Sequence, residues 1–163
     1  MTGLFCFFLC WAGPAAMPTA TMHIELPKLD VSPYFRPYVA IWLESPDRQG
    51  VHTIEVWYEE DTWLKDMRQW WRKLGRADSA RYDGVTGATR KAGTHRITWD
   101  GRDADGKAVP PGDYFLNFEA AREEGGREFM RQKITIGGAS QHYQLEGKNE
   151  LGKIQIHIHG AKS

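Results

Sequence analysis

The most constraining feature of this sequence is a period-two alternation of apolar and polar residues that recurs along most of the chain. Successive side chains of a β-strand point to opposite faces, so the alternation indicates strands that bury one face. The run at 38–43 is almost entirely apolar and indicates a strand that is buried on both faces. The segments that fit one or other pattern are 22–26, 38–43, 54–58, 94–99, 114–120, 128–136 and 153–159.

After position 60 the period changes to that of a helix, and a long polar loop follows over 76–93. Apolar residues recur three or four positions apart, and Gly75 follows where a helix would end. We therefore expect one amphipathic helix over about 62–75 that packs its apolar face on a sheet. The residues of this face are Trp63, Leu64, Met67, Trp70, Trp71 and Leu74.

Turn-forming residues separate the predicted strands. Pro-Asp-Arg-Gln-Gly at 46–50 and Glu-Glu-Gly-Gly at 123–126 are typical of the turns that close hairpins. Many short strands with one inserted helix favour a mainly all-β protein. In such a protein two sheets pack face to face and bury the apolar sides of their strands. We predict a β-sandwich of about seven or eight strands, in a single domain over 21–163.

The first twenty residues have a different character. Residues 4–11 form a short uncharged apolar run, small residues and prolines follow, and the first charged residue is Glu25. The run is far below the roughly 20 residues that cross a bilayer, so it predicts an export signal over 1–20 rather than a membrane anchor. Export predicts a periplasmic or otherwise extracytoplasmic protein without stable membrane insertion.

Cysteine and charge content narrow the possible chemistry. Both cysteines, Cys6 and Cys10, lie in the predicted signal, so the mature domain can hold neither a disulfide framework nor a thiolate metal site. The chain carries 21 basic and 21 acidic side chains. This balance lacks the basic excess of a general nucleic-acid binder, and we expect no nucleic-acid partner.

The segment from Trp99 to Tyr114 resembles a known module. Its sequence fits the pattern W-D-G-x-x-x-x-G-x-x-V-P-x-G-x-Y of the immunoglobulin-like module of flagellar hook-capping proteins. The resemblance implies that the segment joins two strands and that the sandwich is immunoglobulin-like. It concerns the fold and does not indicate an activity.

The stretch from Asp83 to Thr89, DGVTGAT, is the most informative for function. It is similar to the acceptor sequence D-x-x-(S/T)-G-A-(T/S) of ApbE-type flavin transferases, which split flavin adenine dinucleotide and leave FMN joined by a phosphoester to the last hydroxyl residue. The resemblance implies covalent FMN on Thr89 and an ApbE-type transferase as a partner. The other cofactor-site residues that it implies are Asp83, Gly84, Thr86, Gly87 and Ala88.

A hydroxyl that another enzyme modifies has to reach that enzyme's active site. Gly84 and Gly87 permit an extensible loop, so we expect Thr89 to lie in an exposed loop over about 76–93. Aromatic and basic neighbours are then candidates to stack on the flavin ring and to offset the phosphate charge. They are Trp63, Trp70, Trp71 and Tyr82 for the ring, and Arg81 and Arg90 for the phosphate.

A longer resemblance covers about 37–160. The stretches RPYVAIW at 36–42 and WLKD at 63–66, with the two motifs above, are similar to an uncharacterised family of predicted periplasmic proteins encoded beside PepSY-type transmembrane reductases. The resemblance implies an extracytoplasmic redox role. We therefore expect an electron carrier rather than a stand-alone enzyme, which passes electrons from a PepSY-type reductase to an extracytoplasmic acceptor, with ferric iron or a ferric siderophore as one candidate.

Two alternatives to a flavin carrier remain open. His157 and His159 lie two apart on the last predicted strand, so both project from one face and could hold copper, zinc or haem iron. A third ligand would come from another strand, with His23, His142 or a carboxylate as candidates. The second alternative is a structural sandwich module without any cofactor.

Overall fold

The structure is a computed structural model that describes residues 19–77 and 83–161. Most of the predicted export signal therefore lies outside the described residues, and its boundary stays a prediction. Strand pairing extends back to Thr19, whose backbone N–H donates to the carbonyl of Trp99 at 2.8 Å. The carbonyl of Thr19 accepts the N–H of His159 at 2.9 Å.

The described residues form nine strands in two sheets, which confirms the predicted all-β sandwich. Sheet A has the strand order β5-β1-β9-β8, and sheet B has the order β4-β3-β2-β6-β7. Neighbouring strands are antiparallel except β3 and β4, which pair in parallel. The strands are β1 (Ala20–Leu26), β2 (Tyr38–Glu44), β3 (Gly50–Trp57), β4 (Thr86–Gly87), β5 (Gly93–Trp99), β6 (Gly112–Ala121), β7 (Arg127–Ile136), β8 (Gln141–Glu146) and β9 (Lys153–Ile158).

The main hydrophobic core lies between the two sheets. Strand β2 is buried at every position, in agreement with its continuous apolar sequence, whereas β9 alternates between buried and less buried residues. Burial of large aliphatic and aromatic side chains from both sheets supplies the main driving force for this packing. Fully or almost fully buried members are Met22, Ile41, Leu116, Phe118 and Ile156.

Two of the nine strands are absent from the sequence prediction. Strand β8 is an edge strand of sheet A, and only Tyr143 and Leu145 mark its inner face among polar residues. An edge strand with one solvated face needs few apolar residues, so its alternation is weak. Strand β4 has two residues and is too short to show any period.

The segment 61–75 is helical, but it is not the single continuous helix that the sequence predicts. It consists of a 3₁₀ turn at Asp61–Asp66, one α-helical turn at Arg68–Trp70 and a π-helical turn at Trp71–Gly75. Met67, with φ of −79° and ψ of 72°, interrupts it. We call these three turns the helical segment.

The helical segment covers the outer face of sheet B and forms a second apolar cluster there. Leu64, Met67 and Trp70 are at most 2% exposed, which confirms that this apolar face is core. The indole N–H of Trp70 donates to the hydroxyl of Thr53 at 3.0 Å. A side chain on Gly75 would come within 2.8 Å of the Trp70 ring, so glycine permits the close approach at the end of the segment.

The buried carboxylate of Glu119 ties the helical segment to sheet B. Glu119 lies in β6 with no exposed surface, and its oxygens accept the backbone N–H groups of Gln69 at 3.1 Å and Trp70 at 2.8 Å. Arg127 donates a third hydrogen bond at 3.2 Å. N–H groups in the first turn of a helix have no intrahelical acceptor, so a strand side chain here replaces a local cap. Burial raises the pKa of Glu119, and these three hydrogen bonds oppose the rise.

Replacing Glu119 should therefore destabilise the whole domain. We expect Glu119→Ala to lower the free energy of unfolding by about 3 kcal/mol, because it leaves the buried N–H of Trp70 and the half-buried N–H of Gln69 without acceptors. Urea unfolding followed by tryptophan fluorescence measures this loss. Glu146→Ala, at an exposed position of β8, serves as the control and should change the value by less than about 0.5 kcal/mol. Equal midpoints for the two variants would contradict this role of Glu119.

Candidate functional site

The predicted flavin-attachment segment lies along one side of the sandwich, where β3 of sheet B faces β5 of sheet A. Two aromatic pairs join these strands. The rings of Trp57 and His95 meet edge to face with centroids 5.6 Å apart, and those of His52 and Trp99 stack with centroids 6.2 Å apart. The chain crosses from sheet B to sheet A along this side, because the motif leads from β4 into β5.

The motif itself consists of a turn, a very short strand and the start of a connection. Asp83–Val85 form a 3₁₀ turn, and Thr86–Gly87 form β4, which pairs with the end of β3. The N–H of Tyr58 donates to the carbonyl of Gly87 at 2.9 Å. Gly84 and Ala88 are exposed, and a side chain on Gly84 would meet nothing within 4 Å. The centre of the motif is therefore fixed by pairing with β3, and Gly84 and Ala88 on either side of this pairing are exposed to solvent.

Thr89 is buried, so the expectation of an exposed acceptor is wrong for this arrangement of the chain. Its side chain is 5% exposed, and its hydroxyl donates to Oε1 of Glu59 at 2.6 Å. Glu59 lies thirty positions away, just beyond the end of β3. Sequence analysis missed this contact because an acidic residue after a strand has many possible partners. The hydroxyl cannot enter another active site while it is held in this way.

Side-chain contacts hold the connection 88–92, which carries Thr89. Between described residues, none of these five positions forms a backbone–backbone hydrogen bond. The Arg90 guanidinium lies 4.5 Å from the centre of the Trp57 ring and 3.8 Å from the carboxylate of Glu55. Each such contact is worth about 1 kcal/mol or less at a partly exposed site. The connection can therefore open without separating any strands.

Gly93 ends this connection and begins β5. Its φ of +135° is a backbone conformation that favours glycine, and a side chain there would meet nothing within 4 Å. The ring of His95 contacts the carbonyl of Lys91 at 2.7 Å just before this point. Gly93 pairs with Leu26 of β1, so the connection joins sheet A at this residue.

A cavity of about 1010 Å³ lies beside the motif, between the edges of β3 and β5. Its inner lining includes Ile54, His52 and Trp99, which are all at most 7% exposed. The motif contributes residues 84–86 to one wall, and the loop 100–106 contributes the rim opposite. We call this space the side cavity. It combines a small buried floor of apolar and aromatic residues with a wide polar rim.

The rim of the side cavity is acidic. Among the described residues, three aspartates of the loop 100–106 line it together with Glu55, and Arg102 adds a basic side chain. Burial lowers the pKa of His52 and outweighs the opposite effect of two of these aspartates, so its imidazole is neutral at pH 7. Burial raises the pKa of Glu55, against a hydrogen bond from Trp57 and the charge of Arg90.

The candidates for contact with the flavin ring and phosphate have separate locations. Arg90 lies next to Thr89 in the connection. Trp70 belongs to the core of the second cluster, and Trp63 and Trp71 pack at its margin on the outer face of sheet B. The remaining two candidates, Arg81 and Tyr82, lie outside the described residues.

The predicted histidine pair forms part of a row of rings on the outer face of sheet A. The centroid of the His157 ring is 3.9 Å from that of His159 and 3.9 Å from that of His142, which pairs opposite it on β8. Burial and the two neighbouring rings lower the pKa of His157. In the described part of the chain, no group of three or more histidine, cysteine or acidic residues is arranged to hold a metal ion. His157 and His159 therefore lie together on one face, as their spacing predicts, and a metal site at them stays a prediction.

Together, these features define a two-sheet β-sandwich whose distinctive motif lies on a connection between the sheets. No helix in the described part of the chain has the length and apolar character that crossing a bilayer requires. The model of a family described as a predicted periplasmic protein (DUF2271) matches residues 19–153. The chain belongs to this family and is a periplasmic protein. No curated protein and no solved structure matches it.

Loosening the connection should make it accessible to a protease. We expect Arg90→Ala to increase the rate of trypsin cleavage after Lys91 about fivefold, because loss of about 1 kcal/mol of contacts with Trp57 and Glu55 raises the open population by that factor. Mass spectrometry of the fragments measures the rate at this bond. Arg96→Ala, at an exposed position of β5, is the matched control and should leave the rate unchanged. Equal cleavage in the two variants would mean that the Arg90 contacts do not hold the connection.

Proposed function

We propose that this protein is a periplasmic electron carrier with FMN attached covalently through a phosphoester to Thr89. The observation that carries the proposal is the Asp83–Thr89 motif, which ends in a hydroxyl residue on a connection without backbone pairing. The periplasmic location adds support, because covalent attachment prevents an exported protein from losing its flavin by dissociation. The absence of cysteine after position 10 is consistent with a redox protein that depends on a cofactor.

Attachment exchanges the phosphoanhydride bond of flavin adenine dinucleotide for a phosphoester bond to Thr89. The Thr89 oxygen attacks the phosphorus of the FMN half of flavin adenine dinucleotide, and the bond from that phosphorus to adenosine monophosphate breaks. The hydroxyl proton passes to a base, and no group is oxidised or reduced. A threonine hydroxyl is a weak nucleophile, so an ApbE-type transferase has to supply the base and a metal ion that binds the pyrophosphate.

The connection has to open before this reaction. Thr89 can carry a phosphoester only after its hydrogen bond to Glu59 has broken. Otherwise the Glu59 carboxylate would lie beside a negatively charged phosphate and repel it. Arg90 is the cation next to Thr89 in the chain. Once its guanidinium leaves the Trp57 ring, it can pair with the phosphate. Once FMN is attached, the phosphate and Glu59 repel each other, and this repulsion keeps Thr89 away from Glu59.

A bound flavin supplies one- and two-electron transfer, and the protein holds and orients it. In this proposal a PepSY-type transmembrane reductase donates the electrons, and an extracytoplasmic acceptor such as ferric iron receives them. The equal numbers of basic and acidic side chains suit short-lived docking on two different partners, since neither complex gains a large net attraction.

The mass of the mature protein tests the attachment. Co-expression with an ApbE-type flavin transferase should add the mass of FMN less one water, and Thr89→Ala should abolish this gain. Thr94→Ala, an exposed threonine of β5 outside the motif, is the control and should be modified like the wild type. An unmodified wild type would refute the proposal and would favour a structural module or a copper- or haem-binding module.

The rate of modification tests whether the hydrogen bond between Thr89 and Glu59 restrains the acceptor hydroxyl. We expect Glu59→Ala to be flavinylated several-fold faster than the wild type, because the Thr89 hydroxyl loses the acceptor that holds it. A time course of the mass gain with purified transferase measures the effect. Glu60→Ala removes a neighbouring exposed carboxylate and should keep the wild-type rate. Slower modification of Glu59→Ala would indicate that Glu59 assists the transfer instead of restraining it.

A further inference from the structure

We propose that the side cavity is the binding site of the flavin ring. The inference rests on the proposed attachment of FMN to Thr89 and adds where the ring lies and what sets its potential. The cavity borders the motif, because residues 84–86 form part of its wall. The ring would lie between the edges of β3 and β5, beside Trp99 and His52.

The chain itself limits the distance between the attachment point and the cavity. Thr86 lines the cavity, and Thr89 follows three residues later. Three residues span at most about 10 Å of extended chain. A five-carbon ribityl chain with its phosphoester has a comparable extended length, because it contains a similar number of bonds. A ring tethered to Thr89 can therefore reach the cavity, whereas the row of histidines lies on the outer face of the other sheet.

The size and lining of the cavity suit a flat aromatic ring. Its volume of about 1010 Å³ is at the upper end of the roughly 300–1,000 Å³ range of small-molecule sites. The rings of Trp99 and His52 are within 26° of parallel, and the indole N–H of Trp99 donates to the carbonyl of Arg102 at 2.9 Å, which fixes the ring. Trp99 and His52 are 5% and 7% exposed, so they form a rigid and largely covered floor beneath the ring. Thr98, an exposed residue of the lining, is of a type that can hydrogen-bond the polar edge of the ring.

The charges of the rim predict how the cavity acts on the flavin. Among the described residues of the lining, carboxylates from the loop 100–106 and Glu55 outnumber the guanidinium of Arg102, and His52 adds no charge at pH 7. A negative surrounding opposes the addition of electrons to the ring. The side cavity should therefore hold the reduction potential of the flavin below the value that it would have in water.

Filling the cavity tests the position of the ring. Ala104 lines the cavity, while Ala108 lies in the same stretch outside the lining, and both are exposed. We expect the flavin of the modified wild type to give a visible circular dichroism signal and to be poorly quenched by iodide. Ala104→Phe should raise the iodide quenching constant several-fold and weaken the dichroism, and Ala108→Phe should leave both unchanged. All three proteins should show the same mass gain.

Removing one rim charge gives a second test that does not depend on a bulky substitution. Asp105→Asn should shift the reduction potential of the attached flavin to a more positive value, and Asp61→Asn, at an exposed position of the helical segment, should not. Proteins that gain the FMN mass but show no response to Ala104→Phe and Asp105→Asn would overturn the cavity assignment and leave the attachment intact. A wild type without the mass gain would overturn both proposals.

Discussion

The carboxylate of Glu119 is the interaction on which the outer layer of this protein depends. It lies in the middle of sheet B without contact with water, and it provides the acceptor for two backbone N–H groups of a helical segment that has no cap of its own. Burial of a charge is costly unless hydrogen bonds replace the lost water, and here backbone groups and Arg127 replace it. The carboxylate thereby fixes where the helical segment turns back across the sheet.

This anchoring explains why strand β2 of sheet B is buried on both faces. One face packs against sheet A, and the other is covered by the tryptophans and aliphatic residues of the helical segment. The chain leaves that segment for the side of the sandwich, where the motif pairs with the end of β3 and then crosses to β5. The proposed attachment point is thus carried by a rigid frame, while the connection that holds Thr89 depends on a few side-chain contacts.

The sequence predicts well those features that local periodicity controls. Seven of the nine strands and the apolar face of the helical segment follow from alternation and from three- and four-residue spacing. The break at Met67 could not be predicted, because Glu119 supplies the acceptors from a strand some fifty positions away. Burial of Thr89 was missed for the same reason, since its acceptor Glu59 is distant in the chain. A motif indicates which residue reacts, and long-range contacts decide whether that residue is accessible.

The short pairing between β3 and β4 also has a consequence for association between molecules. Strand β4 covers β3 only at Val56 and Trp57, so the rest of this edge of sheet B has no strand beside it among the described residues. Such edges can add a strand from another chain and start aggregation. The aspartates of the loop 100–106 lie across the side cavity from this edge. Their repulsion of an approaching copy would protect the open side of the sandwich at high protein concentration, because the incoming molecule would bring the same negative charges.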